Sequence, residues 1–179
     1  MKTIVVTGGI GSGKSLVCAF LSAAGLPVYD SDSKAKDLYA SHPELAAMVS
    51  ENIFADKDGL KRLEDALYPV LLEDFNVWKA ARKGEWAVLE SAIILQKKFF
   101  DNFGDAIVLV DAPESVRLAR AMKRGTATEA SVRQRMSLQR NERNNPRVDF
   151  IIDNIGSEDE LKQKVDNFLK YIDYGKREN

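Results

Sequence analysis

An apolar run, Lys2–Thr7 (KTIVVT), passes without interruption into Gly8–Ser15 (GGIGSGKS). The run reads as a buried β-strand bounded by glycine. The octet fits G-x-x-x-x-G-K-[ST] in full, after a strand and at the opening of a helix. Glycines let the backbone wrap closely around phosphate oxygens with successive N–H groups aimed inward. The helix start adds unsatisfied donors and the positive end of its dipole. In such a loop Lys14 reaches the β- and γ-phosphates of a nucleotide and the Ser15 hydroxyl coordinates Mg²⁺. Gly9, Ile10, Gly11, Ser12, Gly13, Lys14, Ser15 and Leu16 are therefore the expected ATP-binding residues. Lys14 is the expected catalytic cation and Ser15 the expected metal ligand.

The rest of the chain has to supply a fold around that unit. Strand signals recur at Leu26–Tyr29, Trp86–Leu89, Ala106–Val110 and Val148–Ile152. Helical signals alternate with them. The first runs over 13–24, with Gly25 placed as its terminating glycine. Asp32–Tyr39 and Pro43–Val49 follow on either side of Ser41-His42-Pro43. Asp56–Gly59 reads as a polar turn before a long amphipathic stretch, Leu60–Lys83, which Pro69 should interrupt or kink. Pro113–Lys123 starts with proline near its first turn, and Thr128–Asn141 comes next. Ser157 and Glu160 form a capping box for a last helix to Ile172, with a frayed tail over 174–179. This alternation indicates an α/β domain on a five-stranded parallel sheet, whose ligands bind beyond the strands' carboxyl ends. Segments 1–30, 85–116 and 145–173 make its core, and 31–84 a helical region between them.

At 179 residues the chain is the size of one domain. No apolar run reaches the ~18–20 residues of a membrane span, and Lys2–Thr7 is too short for a signal peptide. One cysteine, Cys18, permits no internal disulfide and points to a reducing, cytoplasmic setting. Among Leu16, Val17, Phe20 and Leu21 it reads as a small buried hydrophobe. The net charge of −1 is unevenly spread: from Arg117 to Arg147 nine basic residues face only Glu129 and Glu142, a local +7. A basic segment on an acidic body suits a local anionic ligand rather than nucleic acid. A monomer or weak homo-oligomer is expected.

Other phosphate-loop classes fit poorly. There is no N-K-x-D element for guanine, and neither D-x-x-G string (Asp56–Gly59, Asp101–Gly104) follows an apolar strand. Ile107–Asp111 is followed by Ala112-Pro113 rather than ending in Asp-Glu; Asp111 reads equally as a water-mediated Mg²⁺ group and as a strand-end turn residue. A small-molecule kinase needs an acceptor site, a carboxylate near the acceptor hydroxyl, and arginines that close over phosphates. Asp30 and Asp32 end the second strand beside the loop. Asp32 is the expected catalytic carboxylate, and Asp30 either shares that work or caps the next helix. Arg117, Arg120 and Arg124 share one helix face, and Gly125–Thr128 forms a joint, so 117–144 reads as a lid. Arg120 and Arg124 are its expected catalytic arginines, and Arg143 is expected to stack on adenine. His42 reads as a surface residue, and Trp78 and Trp86 as core or acceptor wall.

These pieces together resemble the dephospho-CoA kinase family. The resemblance runs through TGGIGSGKS at Thr7–Ser15, VYDSD at Val28–Asp32, LYP at Leu67–Pro69, VDAPE at Val110–Glu114, the arginine-rich helix ending in Gln139, and FIIDNIG at Phe150–Gly156. It implies a P-loop kinase fold of three layers with a helical acceptor-binding insertion and a lid. It implies dephospho-CoA as acceptor, phosphorylated at the ribose 3′-hydroxyl beside Asp32. Adenine contacts are implied around Arg143 and Asn154–Gly156. The family usually has His where Tyr68 stands and Pro-Leu-Leu-x-Glu where Ala92–Gln96 stands, and the stretch between Gly59 and Tyr68 is shorter by about one helix. Read from the residues alone, a kinase for another small alcohol or nucleotide and a non-catalytic ATP-binding module stay open.

Overall fold

The computed structural model describes residues 1–49, 53, 56–123, 125 and 128–174. Five strands, β1 (Lys2–Thr7), β2 (Val28–Asp30), β3 (Trp86–Glu90), β4 (Ala106–Asp111) and β5 (Phe150–Asp153), form one sheet in the order β2-β3-β1-β4-β5. Every pairing is parallel. β1 is central and buried from Thr3 onward, which explains its unbroken apolar run: both of its faces are covered. The period of two sorts its side chains between the faces. Ile4 and Val6 join a core with α1 (Lys14–Ala23) and α7 (Glu158–Tyr174), contacting Val17, Leu21, Val165 and Phe168. Val5 points the other way, into a core with α2 (Ser31–Ser41), α3 (Pro43–Met48) and α4 (Lys57–Ala80), built around Leu38, Leu45, Leu67 and Phe75. This is the expected three-layer α/β architecture. α5 (Glu114–Lys123) and α6 (Glu129–Ser137) make a small satellite cluster of Ala121, Val132 and Met136, against which Ile10 packs.

Local chemistry sets most boundaries as read. Gly25 takes φ +90 just past α1, and the Leu26 N–H closes back on the Leu21 carbonyl at 3.1 Å. Ser157 and Glu160 exchange both capping-box bonds, at 2.9 and 3.2 Å.

Four expectations are corrected. Of the two effects expected of Pro69, interruption does not occur: α4 continues through it to Ala80. Proline forfeits one helix bond there, while Leu63, Leu67, Tyr68, Leu71 and Phe75 stay buried along one face and hold the helix together. Asp56–Gly59 is no free turn: the Asp56 carboxylate caps the Gly59 N–H at 2.9 Å and draws the first turn of α4 back to Lys57. α6 ends at Ser137 rather than Asn141, where the Ser137 hydroxyl bonds the Gln134 carbonyl at 2.8 Å. β5 lies two residues later at its start than read, and ends at Asp153. The Asp149 carboxylate, which takes the Ile107 N–H at 2.8 Å, precedes it. The tail at 175–179 lies outside the described residues, while Tyr174 ends α7.

The sequence alternatives for the aromatics resolve toward packing. Trp78 lies against Tyr29 and Phe75, and Trp86 packs on the core shared with α1 and α7. His42 is half-buried and closes α2, its Nδ1 3.1 Å from the Leu38 carbonyl. No described helix is long and apolar enough to cross a membrane.

Candidate active site

The parallel sheet brings the carboxyl ends of β1, β2 and β3 side by side, and with them Lys14, Ser15, Asp32 and Glu90. The loop after β1 is shaped by glycine. Gly11 (φ +76) and Gly13 (φ +101) hold left-handed conformations that L side chains rarely adopt. A Cβ at Gly11 would strike the Arg117 carbonyl, and one at Gly13 would strike the Asn154 side-chain amide. Asn154 is buried and donates from Nδ2 to the Ser12 carbonyl at 2.8 Å. Thus the loop is seated from beneath by residues more than 100 positions away.

Lys14 is buried at the start of α1, its Nζ 3.5 Å from the Gly9 carbonyl. The Ser15 hydroxyl donates to Glu90 Oε1 at 3.1 Å. Glu90 is the last residue of β3, buried, and pushed up in pKa by that burial; the nearby Lys14 charge and the Ser15 hydrogen bond act in the opposite direction. Cys18, buried as expected, also directs its thiol to Glu90, and its own pKa is raised first by burial and then by that carboxylate. The rule that ligands bind beyond the strands' carboxyl ends covers this position, but sequence reading assigned Glu90 no role. What it lacked was strand order: only with β3 beside β1 does Glu90 face Ser15.

The two aspartates separate clearly. Both Asp30 oxygens are engaged as the cap of α2, accepting the Asp32 N–H at 3.0 Å, the Ser33 N–H at 3.1 Å and the Ser33 hydroxyl at 2.7 Å. That is the capping alternative considered for it. The Asp32 carboxylate makes no hydrogen bond among the described residues. Solvent reaches it on the open side while protein crowds the others. That crowding raises its pKa, Lys14 lowers it and Asp30 raises it. Next to Asp32 lies a small apolar pocket of about 70 Å³ walled by Ala35, Leu67, Leu71, Leu89 and Tyr68.

The basic segment is placed differently from a free lid. Arg120 is already docked: its Nη1 donates to the Asn154 carbonyl at 3.0 Å, one hydrogen bond away from the loop. Arg124 lies outside the described residues, as do Thr126 and Ala127 of the expected joint. Arg117 lies directly against Gly9, where its guanidinium would collide with a Cβ. Gln139 Oε1 accepts the Ile10 N–H at 2.8 Å. Arg143 bridges the ends of β4 and β5. The register sets Asp111 opposite Asp153, and the guanidinium binds Asp153 with both nitrogens and Asp111 at 3.0 Å. This clamp holds the Asp153 carboxyl below the usual range. Asp111 also accepts the Ala112 N–H at 2.9 Å, which favours the turn reading over a metal role. Arg143 thereby stands at the rim of a cleft of about 740 Å³ lined also by Gly9, Arg117, Gln139, Asp153 and Ile155.

No group of three or more acidic, His or Cys side chains suited to a metal exists among the described residues. Mg²⁺ does not require one, since it keeps several waters and binds through one or two protein oxygens plus phosphates. The Ser15 hydroxyl and Glu90 carboxylate are an all-oxygen pair that fits this mode.

Comparison with known proteins agrees with the geometry. The dephospho-CoA kinase family model matches residues 2–51 and 42–160. The chain is 35% identical to a dephospho-CoA kinase of Porphyromonas gingivalis over 79% of each protein. It is 32% identical to that of Chlorobaculum tepidum over 93% of each. A Thermus thermophilus crystal structure superposes with a TM-score of 0.81 at 27% identity, covering 95% of this chain and 97% of the other.

Proposed function

The chain belongs to the dephospho-CoA kinase family, and from that we propose that it phosphorylates the ribose 3′-hydroxyl of dephospho-CoA with ATP, the last step of coenzyme A synthesis. The observation that carries the reading is the convergence of a complete phosphate loop, the Ser15–Glu90 pair and an Asp32 carboxylate with no hydrogen bond among the described residues, next to an apolar pocket. In that arrangement Asp32 orients the acceptor hydroxyl and takes its proton as the oxygen attacks the γ-phosphorus. The bond from γ-phosphorus to the β-γ bridging oxygen breaks, and ADP departs with the electron pair. Lys14 balances charge on the β- and γ-phosphates throughout, and the loop residues from Gly9 to Leu16 surround the remaining oxygens with those amides that are not already bonded within the protein. When bound, Mg²⁺ supplies charge neutralisation across the phosphates. Ser15 would ligate it, and Glu90, bonded to Ser15, would stand beside its waters. Arg120, already docked on the Asn154 carbonyl, and Arg124 serve the phosphates from the lid segment 117–144, Arg143 presents its guanidinium face to adenine, and 31–84 forms the acceptor side. A cytoplasmic monomer or weak homo-oligomer completes the reading.

The test is mass-spectrometric detection of CoA after incubation with ATP, Mg²⁺ and dephospho-CoA. CoA formed in step with ADP is the expected result. A higher kcat/KM for AMP or adenosine would make the protein a different small-molecule kinase. Tight ATP binding with no acceptor-dependent ADP release would make it a binding module.

Glu90→Gln gives a narrower check on the metal arrangement. Glutamine keeps an acceptor for Ser15 but removes the charge, a loss on the scale of one charge-assisted hydrogen bond, ~1.5 kcal/mol. The Mg²⁺ concentration for half-maximal rate should rise about tenfold, read from a magnesium titration at saturating ATP. An unchanged midpoint would remove Glu90 from the metal site.

A further inference from the structure

Three consecutive residues of the phosphate loop are held by the α5–α6 unit rather than by the sheet. Gly9 lies under the Arg117 guanidinium, and Gly11 lies against the Arg117 carbonyl. Between them, Ile10 is gripped twice. Its side chain packs on the Ala121, Val132 and Met136 cluster, and its N–H is accepted by the Gln139 side-chain oxygen at 2.8 Å. Gln139 follows the last turn of α6, its own N–H closing on the Met136 carbonyl at 3.1 Å, so its side chain reports the position of that helix. Arg117 Nε is buried without a partner, and Gln139 Oε1 reaches the same glycine that Arg117 covers. A loop amide that is free in sequence terms is therefore fixed by a residue 129 positions away.

We propose that Gln139 is a positioning residue of this kinase: by holding the Ile10 amide it couples the placement of α5–α6 to the shape of the phosphate loop. The proposal rests on the kinase reading for its catalytic consequence, but its structural half can be measured without catalysis. A hydrogen bond from a backbone amide to an uncharged side chain is worth roughly a fivefold to tenfold change in an equilibrium. Leucine at this position keeps most of the volume and removes the acceptor. Glutamate keeps the acceptor and adds a negative charge in the nucleotide cleft.

The experiment measures amide hydrogen exchange of Ile10 in the ligand-free protein, ATP affinity by titration calorimetry without acceptor, and kcat. These are compared for the parent, Gln139→Leu and Gln139→Glu. In Gln139→Leu, Ile10 should exchange about fivefold to tenfold faster, while the Val132 and Met136 amides keep their parent rates. ATP affinity should fall by a similar factor. In Gln139→Glu, Ile10 protection should return to the parent level while ATP affinity stays low, because the restored acceptor now carries a charge that opposes phosphate. The proposal is overturned by parent-like Ile10 exchange in Gln139→Leu, or by acceleration shared equally across α5 and α6. Faster Ile10 exchange with ATP affinity and kcat both intact would overturn it as well. Loss of phosphorylation in the parent itself would strike the kinase reading and leave the exchange result to decide the role of Gln139.

Discussion

Lys14→Ala should yield a folded protein whose turnover is lower by at least ~10²-fold, the scale of removing one preorganised electrostatic donor from a transferring phosphate. The side chain is buried, 3.5 Å from the Gly9 carbonyl, and its charge opposes protonation of two carboxylates, Asp32 and Glu90. Removing it therefore acts twice. It takes away the cation on the β- and γ-phosphates, and it leaves both carboxylates with higher pKa values. Steady-state turnover at saturating ATP, with circular dichroism to confirm folding, measures the effect. Near-parental turnover in a folded mutant would overturn the assignment of the loop.

Asp32→Asn should lower kcat by a factor of ~10² or more, the range for a positioned general base, with ATP affinity nearly unchanged. Asp30→Asn should act more mildly on turnover, because Asp30 is occupied in capping α2. The pH dependence separates them further. Burial raises the Asp32 pKa, so the acid limb of kcat/KM should lie above the pH at which an exposed aspartate titrates. Asp30 adds to that rise, so Asp30→Asn should move the limb toward lower pH. The sign for stability follows from linkage. A carboxyl whose pKa is raised by folding binds its proton more tightly in the native state. Its contribution is present below the unfolded pKa and is lost as pH rises through the folded value. At neutral pH the ionised Asp32 burdens the fold, and Asp32→Asn should have a Tm no lower than the parent. A lower Tm would overturn the raised pKa of Asp32, and a larger kcat loss in Asp30→Asn than in Asp32→Asn would transfer the catalytic role to Asp30.

What could be read in advance was what is contiguous. The phosphate loop is one uninterrupted stretch of chain, so its residue types and spacing carry its chemistry, and Asp32 follows a strand end that the α/β rule singles out. The capping box at Ser157 and the glycine after α1 were legible for the same reason. Glu90, Arg117 and Gln139 were not. Their partners stand 75 residues away for Glu90 and 129 for Gln139, and only strand order and the docking of α5–α6 bring them together. Local signals also misled where packing overruled them: Pro69 stays within α4 because its neighbours are buried, and Asp56 turns an apparent loop into a helix start.

The sheet order has a bearing on the route by which the chain acquires its binding loop. β1 pairs only with β3 and β4, and β2 pairs only with β3. During synthesis, then, the strand that carries the loop emerges before either of its neighbours and has none to pair with until residues 86–90 exist. Closing so long a connection costs entropy before any ladder bond repays it. Asn154, which seats the loop at Ser12, arrives later still, after β5. The most sequence-local site in the protein is thus completed only once a residue 142 positions away has been made.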